Sequence, residues 1–439
     1  MKKILLFGAG RSASVLIEYL EKNASIHNWM FTIADAVIPA HLKESKNLSL
    51  KISDINNVAN RKELISSADV VISLLPPSLH LLVAHDCISF SKHLLTASYL
   101  TPEIEALNQT AIDKEISIVM EMGLDPGIDH MSAMKEINYI KEQGGKILSF
   151  KSYTGGLIAP ESDNNPWKYK VTWNPRNVVL AGQGSVKYLD DNQYKYIPYH
   201  QLFSRTESVN VDGYESFEAY ANRDSLKYIH TYGLSDVSTF LRGTLRMNGF
   251  SKAWNLLVQL GMTDDSYTIE SSQLLTYRDF TKSFLPTNSD ADIQKDLSNY
   301  LGISADSEEM EKLIWLGLFE NKKIEIQNAS PAQILQKIIE EKWKLSATDK
   351  DMIVMQHQFK YLQEGIIKKT SSTLIVKGDD GIRTAMAKTV GLPLGIIAKL
   401  ILENKIKIKG VLIPTFKEIY EPVLNELESF GIVFTNKKS

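Results

Sequence analysis

Short apolar runs separated by helically spaced segments fill the first part of the chain. Residues 3–7, 29–34, 48–52, 70–75, 93–96 and 116–120 are such runs, and they alternate with amphipathic stretches over 14–20, 58–66, 79–89 and 103–114. A run that is apolar at nearly every position suits a strand covered on both faces, as in a parallel sheet. Strand and helix in strict alternation predict a doubly wound, Rossmann-type α/β domain. Beyond residue 130 the rhythm changes. A helix over 131–143 leads into residues 146–153, which alternate like a half-exposed strand, and aromatic-rich strands and loops continue to 212. These predict an α+β domain with a mixed sheet. Residues 234–349 read as largely helical, with the charge runs at 307–312 and 340–342 as solvated helix faces. Strands are expected at 352–356, 373–376, 411–413 and 433–434, and helices over 384–402 and 419–430.

Composition narrows the class. A chain of 439 residues exceeds one ordinary core, so two or three domains are expected. Hydrophobic residues are 44% and charged residues 23%, with a net charge of -3 spread along the chain, which argues for a globular protein and against nucleic acid as partner. The lone cysteine, Cys87, excludes a disulfide framework and points to a reducing, cytoplasmic setting. Lys2-Lys3 followed by an apolar run resembles a leader peptide, but the run stops at Gly8, so none is expected; nor is a membrane span.

Candidate chemistry gathers at strand ends. Gly8-Ala9-Gly10-Arg11-Ser12-Ala13 follows the first strand and opens a helix, the G-x-G-x-x-A form of the dinucleotide fingerprint. Its glycines allow a tight turn and close approach of backbone to a pyrophosphate at the helix N-terminus. Asp35, closing the second strand, can accept the ribose hydroxyls of NAD and would repel the 2'-phosphate of NADP. The fourth strand runs into Pro76-Pro77, the fifth into Ala97-Ser98-Tyr99, and the sixth into Glu121-Met-Gly-Leu-Asp-Pro-Gly-Ile-Asp-His130. The phenol of Tyr99 and the carboxylate of Asp125 at neighbouring strand ends could share proton transfer near a nicotinamide. Asp129 and His130 read as helix-start residues that fix the turn. Arg223 and the pair Arg242 and Arg246 stand beside glycine and hydroxyl residues, as carboxylate-binding arginines do. The nine histidines show no metal-ligand spacing, and no nucleophile elbow or phosphate loop is found.

Several longer segments carry a resemblance. Thr96-Ala-Ser-Tyr99, Glu121 to His130, Ser152-Tyr-Thr-Gly-Gly-Leu157 with Ala159-Pro-Glu161, Asn165-Pro-Trp-Lys-Tyr-Lys170 with Trp173, Asn222-Arg-Asp-Ser225, Arg242-Gly-Thr-Leu-Arg246 and Thr384 to Leu392 together resemble saccharopine dehydrogenase of the L-glutamate-forming type, across nearly the whole chain. The resemblance implies a dinucleotide-binding domain over 1–125 completed by about 380–439, an α+β substrate domain over 126–233 and about 350–379, and a helical domain over 234–349. Carried over residue by residue, it places cofactor contacts on Ala9, Gly10, Arg11, Ser12, Asp35, Asp54, Ile55, Ala97, Ser98 and Trp173, beside Gly8 of the fingerprint. Substrate contacts fall on Ser98, Tyr99, Asp125, Arg223, Thr244, Leu245 and Arg246, with Tyr99 and Asp125 as the catalytic candidates. Two departures are visible. Thr154 stands where fungal members have cysteine, so a thiol there cannot be essential. Asp35-Ala36-Val37 stands where NADP-dependent fungal members place Cys-Arg-Thr, so NAD is the expected cofactor and NADP the alternative.

The implied reaction is oxidation of saccharopine at the C–N bond on its lysine-derived side, or its reverse, in lysine metabolism. Hydride loss gives an imine, water adds, and the carbinolamine collapses to L-glutamate and 2-aminoadipate 6-semialdehyde. Two rivals are kept: an imine-reducing dehydrogenase of the carboxynorspermidine or homospermidine type, and a non-catalytic NAD-binding scaffold. The arginines argue for the substrate with several carboxylates. Monomer and homodimer are both left open.

Overall fold

Six short strands in the first part of the chain, β1 (Lys3–Phe7), β2 (Met30–Asp35), β3 (Leu48–Ile52), β4 (Val70–Ser73), β5 (His93–Thr96) and β6 (Ser117–Val119), pair in parallel in the computed structural model. The strand Gly410–Leu412 adds to β6, also in parallel, so the last part of the chain completes this sheet. Beyond that strand the order is β6-β5-β4-β1-β2-β3, which reverses direction between β1 and β4. Ligands of such sheets bind outside the carboxyl ends of the strands at that reversal. The apolar runs behave as their composition requires: all four residues of β4 and four of the five in β1 are buried.

The structure describes residues 1–286 and 292–438; residues 287–291, inside the stretch expected to be helical, and residue 439 lie outside the described residues. The chain divides into two units. The first is Met1–Ile147, Tyr361–Ile367 and Leu374–Thr435, and the second is Leu148–Lys360, Lys368–Thr373 and Asn436–Ser439.

In the first unit the helix Ala385–Leu402 packs on α1 (Ser14–His27). Among the described residues it is the one helix that approaches a membrane span. Its length and mean hydropathy of 1.6 would allow one, yet 83% of it is buried inside the fold, which marks a core helix whose apolar faces meet protein on all sides. The segment expected as one helix over 103–114 is two, Pro102–Glu105 and Asn108–Asp113.

The second unit is built on a nine-stranded mixed sheet that starts from β7 (Lys146–Ile158). Thr239–Arg246 lies beside β7 in parallel and is antiparallel to Phe217–Ala221. This corrects the reading of 234–349 as largely helical. Seven of the eight residues of Thr239–Arg246 are buried, so it is a central strand covered on both faces, and its arginines mimic the polar positions of a helix. Phe434–Lys438 also joins this sheet. Helices dominate thereafter, from Phe250–Leu260 to Pro331–Lys342, around the buried rings of Trp167, Trp254 and Trp343.

Candidate active site

The turn after β1 can exist only with glycine at its first position. Gly8 has φ +98, and a Cβ there would sit 3.1 Å from the carbonyl carbon of Leu74. Gly10, two residues on, is exposed, and a Cβ there would meet nothing within 4 Å. Backbone is thus laid bare at the entry to α1, which suits a pyrophosphate. Arg11 is exposed, Ser12 half-buried, and Ala9 buried. The Ala9 N–H donates to Asp35 Oδ2 at 2.6 Å and the Val37 N–H to Oδ1 at 3.1 Å, so two amides hold the half-buried Asp35 carboxylate beside the glycine turn. Asp54 and Ile55 are brought to the same edge: the Ser53 N–H donates to the Asp35 carbonyl at 2.9 Å, and Arg61 braces the Ile55 carbonyl while paired with Asp86 at 2.6 Å. These residues fit a dinucleotide, with open backbone for the phosphates and a carboxylate beside the turn.

The sixth strand runs into a second constrained turn. The Asp125–Pro126 bond is cis, and Gly127 has φ +147, where a Cβ would collide with the backbone of Gly123. From Glu121 to His130 every residue is buried except Asp125, which is half-buried. The rest of the run is its support. Glu121 Oε2 bonds His130 Nε2 at 2.7 Å, and Oε1 accepts the Leu100 N–H at 2.9 Å. The Glu121 N–H donates to the Ser98 carbonyl at 3.0 Å, and Asp129 Oδ1 accepts the Gly127 N–H at 2.6 Å. Glu121 therefore ties the turn to the segment Ser98-Tyr99-Leu100, a role the sequence reading missed. The Tyr99 hydroxyl lies 3.5 Å from Asp125 Oδ1, at the outer reach of a hydrogen bond. Ala97, Ser98 and Tyr99 are all half-buried.

In the second unit, strand alternation puts Arg242, Thr244 and Arg246 on one face of Thr239–Arg246. Arg246 is 4% exposed, and its guanidinium carbon lies 5.3 Å from the ring centre of Tyr169, 5.7 Å from Tyr220 and 5.2 Å from Phe250. Its Nε has no hydrogen-bond partner among the described residues. Burial raises the Tyr220 phenol, so that ring is a neutral wall of the cage. Trp173 is half-buried, and its Nε1–H donates to the Tyr169 hydroxyl at 3.4 Å. Thr244 is half-buried opposite Tyr220 in the antiparallel register. Leu245 is fully buried, which leaves only its backbone to meet a ligand. Arg223 is exposed with φ +50. Phe250 follows four residues after Arg246, but Tyr169 and Tyr220 come from distant segments that no local motif announces.

A sheet reversed at its centre, a bare glycine turn at that reversal and an acid closing the neighbouring strand define a Rossmann-type protein of the dinucleotide-binding class. The family described as Saccharopine dehydrogenase NADP binding domain matches residues 4–119, and that described as Saccharopine dehydrogenase C-terminal domain matches residues 123–432. The chain belongs to the saccharopine dehydrogenase family. It is 33% identical to saccharopine dehydrogenase (NADP(+), L-glutamate-forming) of Saccharomyces cerevisiae, with 99% of each chain covered. It is 35% identical to alpha-aminoadipic semialdehyde synthase of Arabidopsis thaliana over 99% of this chain and 44% of that protein, so the chain spans about half the length of such longer relatives. The apo structure of the S. cerevisiae saccharopine dehydrogenase (L-Glu forming) superposes with a TM-score of 0.89, at 32% identity and full coverage of both chains. A homospermidine synthase from Legionella pneumophila in complex with NAD gives a TM-score of 0.58 at 9% identity over 100% of this chain and 91% of that one, a likeness of fold alone.

Proposed function

We propose that this chain catalyses the NAD(P)-dependent oxidation of saccharopine to L-glutamate and 2-aminoadipate 6-semialdehyde, or the reverse, with NAD preferred over NADP. The observation that carries the reading is the 33% identity to the yeast L-glutamate-forming enzyme across 99% of both chains. The bound dinucleotide supplies the hydride acceptor. Tyr99 and Asp125 hold and move the proton that the secondary amine must lose before hydride leaves, and they assist water addition to the imine. Support for this is their placement, with Asp125 alone presented from an otherwise buried run and the phenol 3.5 Å away. Arg223 and Arg246, with Thr244, hold substrate carboxylates; a caged cation with an unpaired Nε is suited to one of them. Gly8 to Ser12, Asp35, Asp54, Ile55, Ala97, Ser98 and Trp173 hold the cofactor in this reading.

The preference for NAD is supported by the Asp35 carboxylate beside the glycine turn, although the family name and the yeast relative carry NADP. The three-part domain division, with the helical domain beginning after the strand Thr239–Arg246 instead of at 234, and a cytoplasmic location belong to the same proposal. The test is to incubate the pure protein with saccharopine and either cofactor and follow the absorbance of the reduced form. Turnover with a higher kcat/KM for NAD is expected; no turnover with either cofactor would sink the reading. Asp35→Arg with Ala36→Ser should move the preference toward NADP, and an unmoved ratio would show that Asp35 does not read the ribose.

A further inference from the structure

Beside Ser98 lies a buried imidazole that the reaction above does not use. His80, in the first turn of the helix His80–Ser89, is 1% exposed. Its Nδ1 is 2.9 Å from Ser73 Oγ, and its Nε2 is 2.6 Å from Ser98 Oγ and 3.4 Å from Thr96 Oγ1. Ser73 and Thr96 close β4 and β5 and are paired in register. Both are buried, so the chain of polar groups from Ser73 through the ring opens only at the half-buried Ser98. Burial lowers the imidazole to about 4, so near neutral pH the ring is uncharged and has one N–H to give.

Each hydroxyl has one proton, so the tautomer decides what Ser98 offers. If Nε2 accepts, Ser98 spends its proton inward and shows only lone pairs outward. If Nε2–H donates, Nδ1 accepts from Ser73 and the Ser98 proton is free to point out. An anionic ligand oxygen can be bound only in the second case. Building on the functional reading above, we propose that His80 is a positioning residue whose Nε2–H turns the Ser98 hydroxyl outward as donor to an anionic oxygen, a carboxylate or a phosphate, held at the carboxyl ends of β4 and β5.

The test compares His80→Leu, His80→Gln, Ser98→Ala and the double variant His80→Leu/Ser98→Ala. The readouts are KM for saccharopine, KM for the dinucleotide, kcat, and the Kd of reduced dinucleotide from its fluorescence. His80→Leu and Ser98→Ala should each raise one KM about tenfold with kcat within about threefold, the size of a lost bond to a charged group. A rise for saccharopine identifies a substrate carboxylate, and a rise for the dinucleotide identifies a phosphate. The double variant should be no worse than Ser98→Ala, and His80→Gln, with an amide N–H near the Nε2 position, should recover most of the loss. Unchanged KM values in a folded His80→Leu protein, or effects that multiply in the double variant, overturn the inference. If His80→Leu does not fold, Ser73→Ala probes the same chain from its far end, and an unmoved KM there also overturns it. Wild-type protein inert toward saccharopine overturns the functional reading instead, and the Kd series for reduced dinucleotide then decides the role of His80.

Discussion

The two units hold their charged centres in opposite ways. In the first, Glu121, Asp129 and His130 lie within ten residues and hold the turn by bonds to one another and to nearby amides. In the second, Arg246 sits among rings from residues 169, 220 and 250, and its Nε bonds to none of the described residues. The first arrangement is a scaffold that satisfies itself and presents one carboxylate, Asp125. The second keeps part of its bonding capacity in reserve. A charge that shapes the fold and a charge kept for a ligand should respond differently to pH and to substitution.

Acid should separate the units most strongly. Burial lowers both His80 and His93 to about 4, and the His93 Nδ1 accepts the Ser117 N–H at 3.0 Å, which requires an unprotonated nitrogen. For a histidine whose folded value lies below its ordinary 6.5, stability is complete above 6.5 and is lost as pH falls toward 4, because only the unfolded chain takes up the proton. Each ring removes roughly 3 kcal/mol across that window. In the second unit Asp349 is buried, which opposes its charge, but the 2.6 Å bond from Lys170 wins and lowers it below its ordinary 3.8. Its contribution holds above 3.8 and fails only below it. Hydrogen exchange at pH 4.5 should therefore show β4 to β6 losing protection while Thr239–Arg246 keeps it; equal loss in both sheets would contradict this.

Substitution comes next. Glu121→Ala removes the carboxylate at 2.7 Å from His130 Nε2 and the acceptor of the Leu100 amide, a change expected to remove about 4 kcal/mol of stability. Thermal melting would register it, and a melting point within a degree of wild type would refute the scaffold reading. Arg246→Met should do the reverse. A flexible apolar chain suits the aromatic cage and carries no charge to desolvate, so stability should change by less than about 1 kcal/mol, while kcat/KM for saccharopine falls about 100-fold. A fall in stability with activity intact would make Arg246 structural.

The same contrast explains what could be read from the chain alone. The parallel sheet, the glycine turn and the turn around Asp125 are local patterns: unbroken apolar runs, Gly and Pro at fixed places, an acid closing a strand. Arg246 could be singled out as a cation but not its cage, because Tyr169 and Tyr220 join the nearby Phe250 around it only once the strands are paired and packed. Thr239–Arg246 was hidden by its own arginines, which put charge at buried positions of a central strand. His80 carries no local signal of its role, since its partners Ser73 and Ser98 lie 7 and 18 residues away at the ends of two strands.

The smallest expected effect concerns Thr154, on β7 opposite Thr244 in the parallel register. Its hydroxyl is buried without a hydrogen-bond partner among the described residues. Thr154→Val keeps the branched shape and removes the polar atom. If the hydroxyl serves only the fold, the desolvation penalty disappears and stability rises by about 1 kcal/mol with KM unchanged. If it belongs with Thr244 to the binding face, the same gain comes with a saccharopine KM raised about fivefold, the value of a neutral hydrogen bond. The reserve seen at Arg246 favours the second outcome. A variant less stable than wild type would contradict both, since it would show that the hydroxyl is satisfied.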